Sequence, residues 1–192
     1  MKQVLVAIIL VAGAALPVSA QTTDAGFWMV LSPSQANTAK VMHTSIRRNL
    51  AEAAEAMPAA DYSFKPTPEI RSFAQVVGHV IFANRLLCAQ AKGDPTPTAT
   101  NYEQITDKAQ LVKALNEALT YCDQVYNETT DANFSQPVKV GVGRGTADTT
   151  RGATLNFNVT HNNEHYGNIV VYLRLKGHVP PSTARAQAQR GR

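Results

Sequence analysis

Four stretches of the chain place apolar side chains at three- and four-residue spacing, and each is bounded by residues that start or stop helices. Such a repeat commits each stretch to an amphipathic helix, whose apolar stripe is stable only against another element. The first begins near Ser34, an N-cap after Pro33, carries Ala39, Met42, Ile46, Leu50, Ala53 and Met57, and stops at Pro58. The second covers about 71–92, with Val76, His79, Ala83 and Leu86 beside a row of Phe73, Val77, Val80 and Leu87, and closes at Gly93. The third covers about 107–128 and buries Leu111, Leu115, Ala118, Leu119, Cys122, Val125 and Tyr126. The fourth covers about 153–176, carries Ile169, Tyr172 and Leu173, and ends at Gly177 ahead of Pro180-Pro181. With little strand patterning, the expected fold class is all-α, a four-helix bundle.

The connections carry less information. In 59–68, Pro66 and Pro68 forbid regular helix, and Tyr62 and Phe64 can pin the loop to the bundle. The long segment 129–152 has the length of a functional or disordered connection. Its run Gly141-Val142-Gly143-Arg144-Gly145 lacks the Lys-Ser/Thr of a phosphate loop, which excludes that reading.

The chain opens with Lys2, an apolar run from Val4 to Ala15 and the small-residue sequence Val18-Ser19-Ala20, the pattern of a secretory signal peptide over 1–20. The expected location is therefore exported, periplasmic or extracellular. No stretch after it approaches a transmembrane span, so no stable membrane insertion is expected. Residues 21–33 form an N-terminal extension, 34–182 one domain of ordinary size, and 183–192 a basic tail expected to be disordered for lack of large apolar residues. The formal net charge of +4 is partly held in that tail, which does not make the basic folded face that nucleic acid needs.

The chemistry concentrates in His161-Asn162-Asn163-Glu164-His165. Histidines four apart share a helix face, about 5–6 Å apart at their β-carbons, and can reach one ion. His79 lies in the apolar stripe of the second helix and supplies a third imidazole. Three neutral imidazoles suit a divalent ion, zinc or nickel before others, and leave a coordination position open. The same five residues match the H-x-x-E-H pattern of inverted zinc proteases, but no Asp or Glu follows Glu164 to complete that site.

The segment from His161 to Asn168, continued by Tyr172-Leu173-Arg174-Leu175-Lys176-Gly177 and Val179-Pro180-Pro181-Ser182, resembles the last helix and exit of DinB-like (YfiT-like) proteins. Met57-Pro58, Tyr62 to Pro68, Arg71-Ser72-Phe73 and Gly78-His79 resemble that family's approach to its second helix. The resemblance implies an up-down-down-up bundle with His79, His161 and His165 around a divalent metal. It also implies that a thiol transfer or isomerisation is among the reactions to consider, although export separates this chain from chiefly cytosolic thiol cofactors. The parallel second and third helices of such a bundle would place Cys88 and Cys122 at similar heights, either as a disulfide or as two reduced, buried cysteines.

The functional expectation is a metal-dependent hydrolase or a thiol S-transferase-like enzyme acting on a small molecule, with a non-catalytic metal-binding or stress-related bundle as the alternative. Glu164 is the candidate catalytic proton carrier, with a solvated surface carboxylate as its commoner role. His43 is either a further ligand or, more commonly for such a position, a core histidine. Asn158, Asn162 and Asn168 either orient the second nitrogens of the histidines or a substrate or, more commonly, lie at caps or on the surface; Tyr166 and Tyr172 are expected in packing, and His178 at a helix end. A homodimer is the oligomeric expectation.

Overall fold

The structure is a computed structural model that describes residues 33–95, 97, 100–142 and 145–191, with Val142 described for its backbone alone. The expected signal peptide and nearly all of the extension lie outside the described residues. The bundle is built from α1 (Gln35–Ala56), α2 (Phe73–Lys92), α3 (Lys108–Glu128) and α5 (Arg151–Leu175), with a short α4 (Asp131–Phe134), a hairpin of β1 (Pro137–Val142) and β2 (Gly145–Thr150), and a final α6 (Pro181–Arg190). Among the described residues no helix is long and apolar enough to cross a membrane.

Local chemistry sets the helix ends. The Ser34 side chain accepts from the Asn37 amide, and Ser72 and Gln75 form a capping box that starts α2. Gly93 leaves α2 at φ 86° and Gly177 follows α5 at φ 79°, a backbone region that favours glycine. At Gly177 the amides of His178 and Gly177 bond back to the Leu173 and Arg174 carbonyls, which closes α5 with a Schellman motif.

Contacts between helices give their directions. Tyr172 of α5 reaches the carbonyl of Arg71 before α2, whereas Arg151 at the start of α5 reaches the carbonyl of Lys92 at the end of α2, so these helices are antiparallel. Cys88 joins Cys122 far along both α2 and α3, while the turn Tyr102–Gln104 before α3 packs on Gly78 near the start of α2, so these two are parallel. Lys108 at the start of α3 bonds to the Glu55 carbonyl at the end of α1, so α1 and α3 are antiparallel. The topology is up-down-down-up, as the resemblance implies.

Two apolar clusters fill the bundle. One gathers Ile46, Leu50, Met57, Tyr62, Phe73 and Leu173, the other Ala39, Val125, Phe134, Leu155 and Val159 with the disulfide. Asn84, Asn158 and Asn162 lie fully buried between them.

Two expectations need correction. The segment 129–152 is structured: α4 and an antiparallel hairpin pairing Pro137 with Thr150 through Val142 with Gly145 occupy most of it. Its β-branched residues favour strand, but short polar strands give a weak alternation signal. The tail is helical through Arg190, because Arg185 binds Glu52 and Asn49 of α1 and Ser182 bonds to Tyr166, contacts that replace the missing apolar face.

Candidate metal centre

Antiparallel α2 and α5 bring His79 against His161 and His165. The two α5 residues are one turn apart on one face, and the rotation of that face is fixed one residue further on. There Asn162 and Asn84 of α2 form a reciprocal amide pair, with Nδ2 to Oδ1 distances of 2.9 and 3.0 Å. Asn158 adds its Nδ2 to Asn84 Oδ1 at 3.1 Å, and the Tyr126 hydroxyl lies 3.0 Å from Asn158 Oδ1. Expected at caps or on the surface, Asn158 and Asn162 are instead buried, since sequence shows their spacing but not Asn84 opposite. Asn168 is exposed as expected.

The Nε2 atoms of His79 and His165 each lie 3.1 Å from Nε2 of His161, and ligand atoms of the three rings fall within 4.8 Å of one another. This is the one such cluster of three or more His, Cys, Asp or Glu side chains among the described residues. A proton on one nitrogen can satisfy only one of the two contacts at His161 Nε2. A cation satisfies all three lone pairs, and bonds of about 2.0–2.1 Å at roughly tetrahedral angles would put neighbouring nitrogens about 3.3–3.4 Å apart. The residues therefore fit a divalent ion with an open position.

Electrostatics favour the ligand form. Burial, then the neighbouring imidazoles His161 and His79, hold His165 down to about 4. Burial followed by Arg71 lowers His79, and burial followed by His79 lowers His161. Neutral imidazoles are the species that coordinate metals. Beside the centre stands one exposed aromatic ring, Phe157, whose centroid is 6.3 Å from that of His161.

Glu103 was not singled out from the sequence. Its Oε1 is 3.3 Å from His79 Nδ1, and its Oε2 accepts from Arg71 Nε at 3.0 Å. Gly78, adjacent to His79, is the sequence signal for the close approach that delivers it: a Cβ there would stand 2.4 Å from the Tyr102 carbonyl oxygen.

The other sequence candidates occupy distinct places. Glu164 is exposed on α5, and its charge acts on His79 and His161 through space. His43 belongs to the core: 1% exposed, it meets Asp123 Oδ1 at 2.8 Å through Nε2 and stacks on Tyr126 with centroids 4.0 Å apart. Tyr166 and Tyr172 are buried with their hydroxyls bonded to Ser182 Oγ and the Arg71 carbonyl. His178 follows α5 and lies 3.8 Å from Asp61 Oδ2.

A sequence model of the DinB superfamily matches residues 42–169. A DinB-like protein from Bacillus cereus ATCC 10987 superposes with a TM-score of 0.64 at 15% identity, covering 76% of this chain and 95% of its own. A DinB-like protein from Bacillus subtilis gives 0.57 at 20%, covering 74% and 94%. The mycothiol-dependent maleylpyruvate isomerase gives 0.56 at 14%, covering 70% of this chain and 60% of the isomerase. No curated protein sequence matches the chain.

Proposed function

The chain belongs to the DinB superfamily, and from that membership and its converging imidazoles we propose that it is an exported protein holding one divalent ion, zinc or nickel, through His79, His161 and His165. The observation that carries this reading is the meeting of three nitrogens from two helices, with all three imidazoles biased towards the neutral form. When bound, an ion with three protein ligands and an open position supplies Lewis acidity to a small-molecule substrate or activates a water or thiol.

The protein's own side chains supply the rest. Phe157 offers an apolar surface beside His161, suited to the body of a small organic substrate. Glu164, exposed and one residue before His165, is the candidate to move a proton. The reaction is a hydrolysis or a thiol-dependent transfer or isomerisation. The fold shared with a mycothiol-dependent isomerase supports the thiol option. Export is supported by the leader-like residues 1–20 and by the Cys88–Cys122 disulfide, a bond that persists in oxidising compartments.

Metal analysis of untagged protein after supplementation should find about one ion per chain, and His161→Ala should abolish uptake. Less than roughly a tenth of an ion per wild-type chain overturns the proposal. In a cobalt-substituted sample, a spectrum that responds to added small anions supports an open, catalytic position. An unresponsive four-ligand spectrum favours the non-catalytic metal-binding role.

A further inference from the structure

We propose that Glu103 is a positioning residue for this centre: its carboxylate holds the Nδ1–H of His79, so that Nε2 turns its lone pair to the point shared with His161 and His165. This rests on the metal-binding reading above. Glu103 and His161 contact opposite ends of the His79 ring, Oε1 3.3 Å from Nδ1 and the His161 nitrogen 3.1 Å from Nε2. Glu103 therefore acts from behind the ring rather than as a ligand. A carboxylate in that position fixes the tautomer and makes the imidazole a stronger donor.

The carboxylate is itself held in place. Its other oxygen takes the Nε–H of Arg71, and the Arg71 carbonyl accepts from the Tyr172 hydroxyl at 2.6 Å. Tyr172 lies on α5, the helix that carries the other two histidines, so one chain of contacts ties His79 to the register of its partners. Glu103 arrives on the turn Tyr102–Gln104, and the missing side chain of Gly78 lets that turn press onto α2. Among the described residues no carboxylate stands behind His161 in this way, and its buried Nδ1 meets no hydrogen-bond partner there.

The rival reading is that Glu103 only makes a partly exposed ion pair with Arg71. Zinc affinity of the full chain, measured by chelator competition, and the His79 tautomer, read from nitrogen-15 NMR of the zinc-free protein, separate the two. Glu103→Ala should bind zinc about 10–100-fold more weakly. Glu103→Gln keeps an acceptor for Nδ1–H and should lose less, with His79 still protonated at Nδ1. Arg71→Ala removes the ion pair but should preserve that tautomer. If Glu103→Ala does not fold, the glutamine variant decides: its His79 signal must differ from wild type while remaining Nδ1-protonated. Wild-type affinity and an unchanged His79 signal in the Glu103 variants overturn this inference alone. Failure of the wild-type protein to take up zinc overturns it together with the metal-binding reading.

Discussion

The three site histidines carry a pH dependence whose sign follows from burial. Each is held below the usual imidazole value, so on acidification the unfolded chain takes up protons before the folded one. Their contribution to metal-free stability is complete above about pH 6.5 and falls as the pH drops, with the His165 part ending near its folded value of about 4. Glu103 opposes the shift at His79 and His165, and Glu164 opposes it at His79 and His161, without reversing it. Urea midpoints of chelator-treated protein should decline from pH 7 towards 4, and a flat profile would contradict neutral burial. The histidines were legible in the sequence because two share a helix repeat and the third interrupts an apolar stripe. Glu103 was not, because nothing in Asn101-Tyr102-Glu103-Gln104 reveals which helix face the turn will meet. Asn84 escaped for a related reason: an amide in an apolar stripe signals a partner, but spacing does not say that the partner is Asn162.

Among the elements, helices with strong repeats and clear caps lie close to their expected bounds. The second, read as 71–92, is Phe73–Lys92, and the fourth, read as 153–176, is Arg151–Leu175. The hairpin and α6 depend on contacts instead of local pattern. Strand β1 lies along α2, where Gln90 Nε2 donates to the Gly141 carbonyl, and α6 is tied to α1 through Arg185. The junction between hairpin and α5 depends on Gly152, where an added Cβ would come within 2.2 Å of the buried Phe134 ring. Gly152→Ala should therefore destabilise the protein by about 1–2 kcal/mol, even after the roughly 1 kcal/mol that alanine gains over glycine within a helix. A lower urea midpoint at unchanged slope would show it, and wild-type stability would mean that the Phe134 ring can move aside.

At the scale of the whole molecule, the disulfide joins residues 34 apart and lies between fully buried sulfurs. Closing a loop of that length in the unfolded chain contributes about 3–4 kcal/mol. Reductant should accordingly lower the unfolding midpoint, and the mass of the non-reduced protein should be lighter by a pair of hydrogens. Two free thiols in the purified protein would refute the pairing. The buried amides beside His161 bear on the whole assembly too, because sliding α5 against α2 would strand their polar groups in the core, at about 1–3 kcal/mol for each one left unsatisfied. The bond at Cys88 and Cys122 also spans the entire crossover from α2 to α3. A protease that clips the backbone once within that crossover leaves both pieces tethered, so α2 with His79 stays attached to the part that carries His161 and His165. The protein can thus be nicked in the passage from α2 to α3 without coming apart, an advantage in any surroundings where peptidases are common and reductants are not.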